Sequence, residues 1–135
     1  MPRATDPPAL DPNTLMRADA ALAALAGDYL KWAEADVARL AVCLGDARTD
    51  AGGRRDHLAR MFSLAHDMKG QGGTFGYDLV TEIGARLCRL LDGRPEPDAA
   101  DWDRLTAHVN ALSRVLTEQL AGDGGQSGQT LLAGL

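Results

Sequence analysis

With 135 residues, 45% of them apolar, 24% charged and only 4% aromatic, the chain has the length of one domain and the aliphatic content of one core. A multidomain enzyme is therefore not expected. Fourteen Lys and Arg against nineteen Asp and Glu leave a net charge of −5, which repels nucleic acid and anionic lipid, so neither is expected as a partner.

The opening residues 1–12 include four prolines and little that can be buried, which predicts a flexible N-terminal arm. No apolar segment follows the single basic residue there, so no secretory signal is expected, and no stretch reaches the roughly 20 apolar residues needed to cross a bilayer. From Asn13 to Ala26, Leu15, Leu22 and Leu25 among many alanines predict a helix with Gly27 as its stop. Asp28 is then placed to cap a longer helix to about Arg48, with Leu30, Ala33, Val37, Leu40 and Leu44 at near-heptad spacing.

Thr49 to Gly53 form a break, and helical periodicity resumes from Arg54 to about Gly72 through Leu58, Met61, Phe62, Ala65 and Met68. Met61, Phe62, Met68 and Phe75 are expected in the core, with a subset available as an apolar rim for a partner. After Gly72 and Gly73, the segment from about Tyr77 to Leu91 carries Leu79, Val80, Ile83, Leu87, Leu90 and Leu91 on one side, the clearest amphipathic helix in the chain. Pro95 and Pro97 prevent its continuation, and Asp98 caps a last long helix lined by Trp102, Leu105, Val109, Leu112, Leu116 and Leu120.

Val and Ile together number six, and no alternating run is bounded by hairpin turns, so a sheet has almost no material. The expected fold is all-α: an up-and-down antiparallel four-helix bundle with an additional N-terminal helix, spanning residues 13–121. Residues 122–135 are expected as a glycine-rich spacer and a C-terminal segment whose Leu131, Leu132 and Leu135 can dock back on the body. Cys43 and Cys88 are read as thiols in a reducing cytoplasm, since a domain of this size needs no disulfide.

Three histidines are available for chemistry. His57, His66 and His108 lack the i, i+4 spacing of a helical zinc pair, and neither cysteine has a second one two residues away, so no metal site is expected. His57 and His108 are read as solvated or capping side chains. The run Gly70-Gln71-Gly72-Gly73-Thr74-Phe75-Gly76 is not a nucleotide loop, because Lys69 precedes it and Phe75 stands where a dinucleotide pattern needs glycine. ATP-dependent kinase activity is therefore not expected.

His66 points roughly 110° away from the mean direction of the apolar stripe on its helix, which places it towards water. Gly70, one turn on, leaves the imidazole uncovered, although glycine inside a helix costs about 1 kcal/mol relative to alanine. Lys69, three residues on, can swing an ammonium towards negative charge placed on the ring. An imidazole in water mostly presents an unprotonated nitrogen at neutral pH, so attack on phosphorus needs no general base. What is missing is a phosphoryl donor site, with neither nucleotide loop nor acidic magnesium pocket at a recognisable spacing.

His66-Asp67-Met68-Lys69-Gly70, with Gly76 ten residues after the histidine, resembles the motif of the histidine-containing phosphotransfer (HPt) domain family, and the likeness extends over about residues 28–120. Members of that family are helical bundles that carry a phosphoryl group between receiver-domain aspartates. The resemblance implies that His66 is phosphorylated, that Lys69 offsets the added charge, and that Gly70, Gln71 and Gly76 give a receiver access and docking. It implies response-regulator receiver domains and a hybrid sensor histidine kinase as partners in the cytoplasm, with Mg²⁺ supplied by the receiver and no cofactor of its own. Several members have glutamine twenty-two residues after the histidine to orient the ring; here Cys88 stands there as a possible imidazole neighbour, with Gln71 as a substitute. A monomer is expected. The rival reading is a helical-bundle adaptor that binds signalling partners without being phosphorylated, and a metal-binding protein is the third.

Overall fold

The computed structural model describes residues 11–94 and 96–135, and all of its regular structure is helical. The helices are α1 (Pro12–Thr49), α2 (Arg54–Gly72), α3 (Asp78–Leu91), α4 (Ala99–Thr117) and α5 (Gly125–Ala133), with a single 3-10 turn at Gly73–Phe75 between α2 and α3. α1 packs against α2 and α4, and α3 packs against the same two, so successive helices are neighbours and the ring of four closes between α1 and α4. This is the expected all-α bundle. The expected arm lies outside the described residues apart from its last two positions, Asp11 and Pro12, which start α1: the Asp11 carboxylate accepts the Asn13 amide at 3.1 Å and Pro12 occupies the first turn.

The additional N-terminal helix is not a separate element. Gly27 does not stop it, and Asp28 caps nothing, because α1 runs unbroken for 38 residues. One helical glycine costs about 1 kcal/mol, which alanine-rich flanks on both sides outweigh. The bundle proper begins at Tyr29, the first buried residue of α1; its ring stacks on Phe75 at 4.6 Å between centroids and tilts against Tyr77 at 5.6 Å. Everything from Asp11 to Asp28 projects into solvent.

The core is a continuous aliphatic cluster in which Leu40, Met61, Ile83, Leu87, Leu112 and Val115 are fully enclosed, one or two from each helix of the ring. At one end Arg54 ties α1 to the α3–α4 connection. Its guanidinium donates to the carbonyls of Ala47 (2.8 Å) and Arg48 (3.3 Å) in the last turn of α1, pairs with Glu96 at 3.0 Å, and lies over the Trp102 ring at 5.6 Å. α4 starts with a capping box, the Asp98 carboxylate accepting the Asp101 amide at 2.8 Å while Asp101 returns the bond at 3.1 Å.

The residues expected as a C-terminal spacer form a turn and α5. The Gly122 amide donates to the Gly76 carbonyl at 2.6 Å and the Gly122 carbonyl accepts the Leu79 amide at 3.2 Å, which fastens this turn to the start of α3. Leu131, Leu132 and Leu135 pack against the core, and Arg86 donates to the Leu132 carbonyl at 3.2 Å. No helix among the described residues is long and apolar enough to cross a membrane.

Candidate functional site

α2 buries Leu58, Met61, Ala65, Met68 and Gly72, and this stripe fixes the direction of every other side chain on the helix. His66 is exposed, and no described residue is hydrogen-bonded to its imidazole. Gly70 is exposed one turn later, and a Cβ built on it would meet nothing within 4 Å, so the ring has open space on that side. Lys69 is exposed and pairs with no acid among the described residues. Gln71 is exposed as well and forms no hydrogen bond to the imidazole.

Phe62 departs from expectation. It is 37% exposed rather than in the core, and its ring lies one turn before His66, centroids 6.2 Å apart and planes 22° apart. The reason is angular: Leu58, Met61, Ala65 and Met68 already fill the buried stripe, and Phe62 falls on its edge on the same side as His66. An apolar face thus flanks the imidazole on one side and a bare backbone on the other.

Two α3 residues that sequence reasoning did not assign to the site hold α2 in place beneath it. Gly84 lies against α2 so closely that a Cβ there would come 3.2 Å from the Ala65 carbonyl oxygen and 3.2 Å from both Cα and Cβ of Lys69. Thr81 donates its hydroxyl to the Lys69 carbonyl at 2.8 Å and accepts the Gly73 amide at 2.9 Å, so one side chain joins the last turn of α2 to the 3-10 turn. Gly72 makes that contact possible, since a Cβ on it would meet Thr81 Oγ1 at 2.8 Å and the Thr81 amide nitrogen at 2.9 Å. A glycine inside the most amphipathic helix, on its buried side, was the available signal for Gly84.

Cys88, one turn beyond Gly84 on the same face of α3, is buried. Burial pushes its thiol up from the ordinary range, partly offset by the charges of Lys69 and Arg89, so it is held as the neutral thiol. Among the described residues no hydrogen bond joins Cys88 to the His66 ring. Gly76 lies elsewhere: it ends the 3-10 turn at φ 83°, a left-handed conformation that favours glycine, and its carbonyl receives Gly122. Its immediate work is the turn into α3, beyond the end of α2.

The other two histidines are placed differently from expectation. His108 is only 4% exposed; it stands on the inward side of α4 beside Leu105, Val109 and Leu112 and donates from Nδ1 to the Arg104 carbonyl at 2.6 Å. Burial holds it below the usual histidine range. His57 is partly buried at the α1–α2 turn, where Nε2 lies 3.1 Å from an Asp50 oxygen; that contact and the Gly53 amide lower the Asp50 carboxyl. Among the described residues no three His, Cys, Asp or Glu side chains converge as a metal site would require.

A family model described as the Hpt domain matches residues 24–116. No curated protein and no solved structure was matched. The match runs from the projecting part of α1 to the last turn of α4 and includes the whole four-helix ring with its exposed histidine, so this chain belongs to the Hpt domain family, whose work is phosphotransfer in two-component signalling.

Proposed function

We propose that the protein is a phosphorelay intermediate in which His66 accepts a phosphoryl group from the phospho-aspartate of one receiver domain and passes it to the aspartate of another. A ring nitrogen of His66, the outward Nε2, attacks phosphorus; the bond from phosphorus to the aspartate oxygen breaks and the carboxylate leaves. The return reaction reverses these roles, so no oxidant, nucleotide or water is consumed. Mg²⁺ comes with the receiver. Lys69, three residues from His66 on the same helix, balances the charge of the phosphoryl group, and Gly70 leaves room for the receiver's loops.

The observation that carries this reading is the exposed, internally unbonded imidazole with open space over Gly70. Phe62 supplies an apolar surface beside it that a receiver can cover, in a shallow groove shared with Leu58, Leu91 and Gly93. Response-regulator receivers are the partners this chemistry requires, and a hybrid sensor histidine kinase is the proposed source of the phosphoryl group they carry. The test is a reconstituted relay with two receivers, one phosphorylated at the start. Label should reach the second receiver only when the protein is present, and His66→Gln should block passage while leaving the helical content unchanged. Lys69→Ala should slow transfer by about fivefold or less, the range of a screened surface charge. A chain that binds both receivers and never gains the phosphoryl group would be an adaptor instead.

A further inference from the structure

We infer that the projecting part of α1, from Pro12 to Asp28, is a self-association surface that pairs antiparallel with the same segment of a second copy of this chain. Leu15, Ala18, Leu22, Leu25 and Tyr29 follow one another at steps of three and four residues, and the series continues without a change of face through Ala33, Val37, Leu40, Leu44 and Ala47, the buried stripe of the bundle. The same face of one helix is therefore covered by α2 and α4 from Tyr29 onwards and covered by no described residue before it. Leu15, Leu22 and Leu25 are 46%, 64% and 47% exposed as a result. Leu15, Ala18, Leu22 and Leu25 are aligned over about 15 Å of helix and form a contiguous patch rather than scattered surface leucines.

A second copy is the occupant because the segment is complementary to itself. A two-fold axis near Ala20 brings Leu15 opposite Leu25 of the second copy and Ala18 opposite Leu22 of the second copy, so leucine meets leucine at the two ends of the contact and alanine meets leucine on either side of its centre. The charges of the segment, Arg17, Asp19 and Asp28, lie about 70° or more from the centre of the stripe, so the contact surface itself is uncharged. Direction follows from the bundle. Because α2–α4 occupy the same side of α1 as the stripe, a parallel pair would force two bundle bodies into one space, whereas an antiparallel pair sets them at opposite ends. Contact along the whole segment from Pro12 to Asp28 buries at most on the order of 1,000 Å², the lower bound for a specific interface, so the dimer forms with rising concentration and separates on dilution. His66 is on α2, outside the contact, and stays open in both states. The inference does not depend on the phosphorelay reading.

Sedimentation velocity of the full chain from about 1 to about 200 µM tests it. The expected result is a molar mass that rises towards that of two chains, with the double variant Leu22→Glu/Leu25→Glu staying at one chain throughout and keeping wild-type phosphotransfer and urea stability of the bundle. Leu22→Ala/Leu25→Ala, which retains helix-forming residues, should weaken association at least tenfold. Mixing an Ala18→Cys chain with a Leu22→Cys chain should give the mixed disulfide in preference to either homodisulfide. A single-chain mass at every concentration, or a doubled mass that survives both double variants, would overturn the inference, and dominant homodisulfides would overturn its antiparallel form. A chain that is monomeric alone and covers this helix only when a receiver is added would assign the surface to a partner instead.

Discussion

Replacing Gly70 by alanine should stabilise the protein and impair its transfer reaction, two effects that a purely structural glycine would not separate. Gly70 lies inside α2, and an added Cβ meets nothing within 4 Å, so no packing cost offsets the helix preference of alanine. That preference is about 0.8–1.0 kcal/mol, equivalent to a melting temperature about 3 °C higher for a domain of this size. The same methyl group stands one turn from His66, on the side proposed for the receiver. Alanine should slow transfer only modestly, while Gly70→Leu, with a side chain that reaches across the imidazole, should slow it at least tenfold, a barrier increase of about 1.4 kcal/mol. Thermal unfolding followed by circular dichroism and single-turnover transfer from a phosphorylated receiver measure the two effects. A lower melting temperature for Gly70→Ala would show that the space over Gly70 is filled; a Gly70→Leu variant that transfers at the wild-type rate would refute the role given to that space.

The neighbouring glycine should behave oppositely. Gly72→Ala puts a methyl group 2.9 Å from the Thr81 amide nitrogen and 2.9 Å from the Tyr77 carbonyl, backbone atoms that cannot swing aside, and should cost about 1–3 kcal/mol in urea unfolding; wild-type stability would contradict this packing. His108, held below the usual histidine range by burial, stays neutral in the fold while the unfolded chain protonates. Its contribution is complete above about pH 6.5 and declines as pH falls below that value, so wild type should lose more stability than His108→Gln between pH 6.5 and 5, and parallel profiles would exclude it. Tyr29 has its hydroxyl buried with no hydrogen-bond partner, so Tyr29→Phe should be neutral or stabilising by up to about 1 kcal/mol. Burial also raises the Tyr29 phenol to about 12, so wild type should lose more stability than Tyr29→Phe as pH climbs from 10 towards 12; a Tyr29→Phe variant with the same alkaline loss would contradict that.

α3 was legible because its apolar residues form one uninterrupted face, and Leu79, Val80, Ile83, Leu87 and Leu91 are all buried. His66 was legible for the converse reason: it falls off the stripe that Leu58, Met61, Ala65 and Met68 define. Gly27 misled because a glycine's local cost decides a helix end only when nothing on either side favours helix, and alanine does so here. His108 carried a readable signal, three residues after Leu105 and next to Val109, but a histidine's burial depends on whether a backbone carbonyl is at hand to take its proton, as Arg104 is. Gly84 against Lys69, and Thr81 across to Gly73, are contacts between helices whose relative rotation no single-helix pattern specifies. The glycines at 122, 124, 125 and 128 suggested a spacer; the turn they make is fixed by Gly76 and Leu79, which lie more than forty residues earlier in the chain.

One ring nitrogen of His66 is the proposed point through which the phosphoryl group passes. Nitrogen–phosphorus correlated NMR of the full, ¹⁵N-labelled chain, recorded after incubation with a phosphorylated receiver and Mg²⁺, tests it most directly. A single phosphohistidine is expected, with phosphorus coupled to Nε2 of His66, absent in His66→Gln and lost on adding an unphosphorylated second receiver. Phosphorus bound to His57, to an aspartate or to no residue of this chain would contradict it.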